Sequence, residues 1–153
     1  MMIYQYKFEK ILSIKEIEKT DALANYNAAL KKFEEVAEKL YKLLKKKEEL
    51  LEFQQEKLRN GLSVQEIRHH QLFMDNLEKL LSHCQQEVIE ARYKMNTQRD
   101  ILMEKNFEVK KYEKMKENDF FEFLDVMKEA ENKELDEISI RQFLSKGVRW
   151  WNA

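Results

Sequence analysis

Apolar side chains recur alternately three and four residues apart along most of the chain, the spacing that keeps one stripe of an α-helix facing a partner helix. The first stripe reads Phe8, Leu12, Lys15, Lys19, Ala22, Tyr26, Ala29, Phe33, Val36, Leu40, Leu43, Lys47, Leu50. A second apolar row beside it, Leu23, Leu30, Ala37, Leu44, Leu51 and Leu58, predicts a buried face wider than a minimal two-stranded seam. The pattern breaks at Asn60-Gly61-Leu62-Ser63, where Gly61 suits the left-handed conformation that closes a helix. Ser63-Val64-Gln65-Glu66 then reads as a capping box that opens the next helix. The same periodicity resumes through Ile67, His70, Met74, Leu77, Leu81, Cys84, Val88, Ala91, Met95, Gln98, Leu102, Lys105, Val109 and Tyr112. It continues less regularly through Phe123, Val126 and Ala130.

Reversing the chain at a turn over residues 59–63 pairs positions whose numbers total about 123, which sets Phe33 near Ala91, Ala29 near Met95 and Ala22 near Leu102, large against small. The predicted fold is all-α: a long antiparallel two-helix coiled-coil hairpin over residues 1–130, roughly 80 Å long. Residues 131–153 are expected to add an acidic turn, a short amphipathic helix as a C-terminal helical tail, and a flexible end. Polar residues in the seam (Lys15, Lys19, Gln98, Lys105) predict looser packing near the termini than near the turn.

Composition sharpens this picture. The 153 residues contain no proline and only Gly61 and Gly147 as glycines, so little interrupts either helix. Lys and Arg (28) nearly cancel Asp and Glu (29), which argues against the broad positive field of a nucleic-acid binder. Cys84 is the only cysteine and has no intramolecular disulfide partner. With no signal peptide and no apolar run of about 18 residues, a cytoplasmic protein without direct membrane insertion is expected.

Candidate chemistry is sparse. Glu66 and His69 have the Glu-x-x-His spacing of di-iron bundles, but those need a second copy and two further glutamates. His83 lies about 21 Å along the helix from His69. Adjacent residues on a helix point about 100° apart, so His83 and Cys84 do not form a nucleophilic pair, and Cys84 reads as a small seam residue. No Gly-rich phosphate loop or GxSxG turn occurs. The expectation is a non-enzyme with no metal and no cofactor. The lysines at 45–47 and at 110, 111, 114 and 116 neighbour glutamates at helical spacing and read as solvated faces.

Two apolar features remain open. Phe120, Phe121 and Phe123, with Trp150 and Trp151, either cap the helix pair or form an interface hot spot. Phe73 and Leu80, which flank the seam residues Leu77 and Leu81, either widen the core or line a groove for a partner.

Asn60-Gly61-Leu62-Ser63, followed by His70-Gln71-Leu72-Phe73-Met74-Asp75-Asn76-Leu77-Glu78-Lys79, resembles the segment after the turn in the flagellar FliJ family. Tyr4, Phe8 and Leu12, and Leu135-Asp136-Glu137, fall where that family carries similar short signatures. The resemblance implies a stalk-like coiled coil of the flagellar type III export apparatus. Its terminal end would insert into the hexameric export ATPase, and the region after the turn would contact the export-gate membrane protein. Export chaperones would be recruited too, at the inner face of the cell membrane. On this resemblance the gate contact falls on Phe73, Leu77, Leu80 and Cys84, and the ATPase contact on Tyr4, Phe8, Leu12, Asp136 and Glu137. Other readings are a stalk of another rotary or secretion ATPase, a generic coiled-coil scaffold, or a nucleic-acid-binding hairpin.

Overall fold

The computed structural model describes residues 3–151, with side chains from Ile3 to Lys146. Two helices account for nearly all of it, α1 over Glu9–Asn60 and α2 over Val64–Trp151. They pack against each other, and no strand occurs among the described residues, so the helical hairpin is borne out.

The reversal between them is short. Gly61 sits at φ +88°, and a Cβ added there would meet nothing within 4 Å. Its requirement is therefore conformational and not steric. Ser63 Oγ accepts the Glu66 N–H at 3.2 Å, the expected hydroxyl half of the capping box. Gly61→Ala should cost about 1–2 kcal/mol of stability, the strain of a side chain in the left-handed region. Urea unfolding checks this, and an unchanged midpoint refutes it.

Packing separates into two compact units, Ile17–Asn106 and the segments that precede and follow it. Within Ile17–Asn106 the helices run antiparallel. The Cys84 thiol approaches the Val36 carbonyl at 3.8 Å across 48 residues of sequence, whereas Lys105 meets Glu18 at 3.3 Å across 87. Val36, Cys84 and Val88 form one core cluster with Phe33, Leu40 and Leu43 packed on it. Met74, Leu77 and Leu81 form another with Leu40, Leu43 and Leu50. Phe33, which also lies under the Arg92 guanidinium at 5.6 Å, thus faces the segment predicted for it.

The other unit is built on aromatics. Tyr6, Leu12 and Val109 are buried together, flanked by Tyr4, Phe8 and Tyr112. Polar seam positions are accommodated in both units by inter-helix ion pairs, Lys47–Glu78 at 3.7 Å, Lys105–Glu18 at 3.3 Å and Lys15–Glu108 at 4.0 Å. Each lysine keeps part of its side chain in water, so the pairs mainly limit the cost of polar seam residues.

Two expectations are corrected. The second apolar row widens the core only in part: Leu30 and Ala37 are partly buried, whereas Leu23, Leu44, Leu51 and Leu58 are 42–55% exposed. A helix with one partner has one covered face, however broad its apolar stripe. The loose acidic turn and separate short helix expected beyond residue 130 are also absent, because α2 runs unbroken to Trp151. Residues 129–137 are rich in Glu, Lys, Ala and Leu, all strong helix formers, and no glycine interrupts them before Gly147. The Trp150 and Trp151 side chains lie outside the described residues.

Candidate functional site

The residues assigned to a gate contact lie on one stretch of α2, but burial divides them. Leu77 and Cys84 are only 3% and 1% exposed and belong to the seam. Phe73 and Leu80 are 43% and 56% exposed. Seven residues apart, these two stand about 10 Å from each other on one helix face. They are an outer apolar pair supported from beneath by the seam, so of the two readings left open for them, extra core width fits poorly. Lys46 Nζ hangs over the Phe73 ring at 5.6 Å and partly shields it.

Phe73 also borders an open groove of about 670 Å³ beside the turn, which Leu50, Phe53, Leu62 and His70 help to line. His70 Nε2 is buried there and has no hydrogen-bond partner. A buried ring nitrogen without a partner is costly. Periodicity placed His70 in the seam; its unmet nitrogen and the contributions of Phe53 and Leu62 depend on how the turn closes, which no local pattern reveals.

The residues assigned to an ATPase contact are not one patch. Tyr4, Phe8 and Leu12 belong to a clasp in which the chain before α1 crosses α2. The Tyr4 hydroxyl lies 3.2 Å from Asp119 Oδ2 and 3.3 Å from the Lys116 carbonyl, within donating distance of both. The Tyr4 ring packs on Phe120 at 5.1 Å and Phe123 at 5.3 Å. Tyr6 donates to the Tyr112 carbonyl at 3.0 Å. Phe8 stands between Tyr6 and Tyr112, 5.9 and 6.3 Å away. Leu12 is 4% exposed beneath. Phe120 and Phe123 therefore serve as cover for this end, while Phe121 stays 55% exposed.

Both clasp tyrosines hold their protons more tightly than usual. Burial is the main cause for each, followed for Tyr4 by its hydrogen bond to the Asp119 carboxylate and for Tyr6 by the charge of that carboxylate. Asp136 and Glu137 lie seventeen residues or more beyond Asp119, about 25 Å further along α2. Every residue from 128 to 146 is exposed. This bare stretch carries Glu129, Glu131, Glu134, Asp136 and Glu137 against Lys128, Lys133, Arg141 and Lys146, together with the exposed apolar residues Leu135, Ile138, Ile140, Phe143 and Leu144.

Among the described residues, no three His, Cys, Asp or Glu side chains gather where a metal could be held, and no helix is long and apolar enough to cross a membrane.

The family model described as Flagellar FliJ protein matches residues 4–147. The chain is 49% identical over 146 residues to the Flagellar FliJ protein of Bacillus subtilis (strain 168), covering 95% of this chain and 99% of that protein. Among solved structures, a YscO homologue of Chlamydia trachomatis superposes with a TM-score of 0.59 at 21% identity, over 94% of this chain and 96% of that one. The last likeness is one of fold.

Proposed function

Because the chain belongs to the FliJ family of flagellar proteins, components of flagellar protein export, we propose that it acts without catalysis as a stalk that joins the export ATPase ring to the export gate. The observation that carries this reading is the stretch of α2 from residue 128 to 146, exposed throughout yet rich in apolar side chains. A helix left uncovered with that much apolar surface is best explained by a partner that surrounds it. In this reading the partner is the ATPase hexamer, whose channel takes up Asp136, Glu137 and their apolar neighbours, with the clasp of Tyr4, Phe8 and Leu12 fixing where the helix pair begins.

The gate contact is then carried by Phe73 and Leu80 from outside, while Leu77 and Cys84 hold them in place from the seam. Export chaperones and a peripheral location at the inner membrane face belong to the same proposal. Mixing the protein with purified export ATPase should increase the ATPase's oligomerisation, read by sedimentation or light scattering. Deleting residues 128–153 should abolish that gain while leaving the helical signal of the rest. An ATPase whose oligomeric state ignores the intact protein sinks the stalk reading.

A further inference from the structure

The reversal itself carries a reactive dipeptide. Asn60 is the last residue of α1 and Gly61 follows it, both exposed. Gly61 stands at φ +88° with open space around it. Lys57 and Arg59 occupy the last turn of α1.

We propose that Asn60-Gly61 is a site of spontaneous deamidation that places an isoaspartyl link in the turn. The Gly61 main-chain nitrogen gives up its proton to solvent base and attacks Cγ of the Asn60 side chain. The new N–Cγ bond closes a five-membered imide as the Cγ–Nδ2 bond breaks, and the amide leaves as ammonia after taking a proton from water. A water molecule then adds to one imide carbonyl and opens the ring, giving an aspartyl or an isoaspartyl linkage. No atom changes oxidation state, and water is the only co-reactant.

Position selects this asparagine. Asn25, Asn27, Asn76, Asn96, Asn106, Asn118 and Asn132 lie inside α1 or α2 and are followed by residues that carry side chains. For each of them the attacking nitrogen is engaged in the helix, and several turns must open to free it. Asn60 needs only the fraying of one terminal residue, and no Cβ on Gly61 obstructs the approach.

The consequence falls on the groove beside the turn. An isoaspartyl linkage adds a methylene to a connection of only Gly61, Leu62 and Ser63. Leu62 and Ser63 both line the groove, and Ser63 also caps α2. The new carboxylate, moreover, sits at the negative end of the α1 dipole, where charge of that sign is disfavoured.

The test keeps the full chain folded in mildly alkaline buffer at body temperature for days to weeks. Cleavage after glutamate then releases the peptide Lys57–Glu66 for mass analysis. The expected result is a gain of one mass unit in that peptide, at least about tenfold faster than at Asn76 or Asn96, whose release needs helix opening. The aged chain should also accept a methyl group from an isoaspartyl methyltransferase, and the Asn60→Gln variant should show neither change. An Asn60 that keeps its mass while the synthetic peptide Lys57–Glu66 deamidates in the same buffer overturns the proposal. So does a mass gain without methyl acceptance, because the linkage formed would then be the ordinary aspartyl one.

Discussion

Leu77→Ala lowers the unfolding free energy by about 2–5 kcal/mol, the range for deleting most of a buried leucine and leaving a cavity. Leu77 is 3% exposed and packs with Met74 and Leu81 against Leu40, Leu43 and Leu50 of α1. Close-packed neighbours relax only partly onto such a hole, which keeps the cavity cost. Phe73→Ala, only four residues away, should cost markedly less, since its ring is 43% exposed and part of its contact is with the Lys46 side chain. Urea unfolding of the two variants reads the difference directly. Binding to the export gate should respond in the opposite order, with Phe73→Ala weakening it more than its small stability loss explains. Equal stability losses would place the Phe73 ring in the core beside Leu77. Unchanged gate affinity in Phe73→Ala would return this face to ordinary surface.

That contrast shows how far the sequence could be read. Heptad spacing identifies the seam because a side chain's depth follows its angle on the helix. Each position of the first stripe, from Phe8 to Leu50, is buried or only partly exposed, and the second stripe behaves alike from His70 to Tyr112. Spacing does not count partners, however. Leu23, Leu44, Leu51 and Leu58 carry the same apolar signal as a core row and remain about half exposed, because no third helix covers them among the described residues. It also groups Phe73 with Leu77 and Leu80 with Cys84 along one segment, although a few tens of degrees of rotation separate a seam residue from an exposed one. The stretch from Glu129 to Glu137 misled in another way: clustered acidity resembles a turn, yet its residue types favour helix and nothing in it breaks one. The clasp left the weakest trace. Tyr4 and Tyr6 precede the periodic region, and their partners, Lys116, Asp119 and Tyr112, are more than a hundred residues distant. Two tyrosines one residue apart beside a Phe could have suggested an aromatic cover for Phe120 and Phe123, but only the fold shows which carbonyls their hydroxyls meet.

Tyr6→Ala should remove about 3 kcal/mol from the unit that holds the clasp, the scale for truncating a buried aromatic side chain. The ring is 8% exposed and shares its cluster with Leu12 and Val109. Its hydroxyl is also anchored on the Tyr112 carbonyl, so Tyr6→Phe should lose about 1 kcal/mol, the net worth of a neutral hydrogen bond. Because the clasp packs as a unit distinct from Ile17–Asn106, the loss should be local. Amide exchange should accelerate in residues 9–16 and 107–126 and change little near Val36 and Cys84. The same clasp gives a pH signature. Burial raises the proton affinity of both Tyr4 and Tyr6 above the ordinary value of 10.0, so the folded state holds these protons more tightly than the unfolded chain does. Their contribution is complete below about pH 10 and is lost as pH climbs through the raised values. Amide exchange in these segments should therefore exceed the intrinsic rise of exchange with alkalinity, and the excess should shrink in the double variant Tyr4→Phe, Tyr6→Phe. A uniform response across both units, or an excess that survives loss of both hydroxyls, would show that the clasp is not held through its tyrosines.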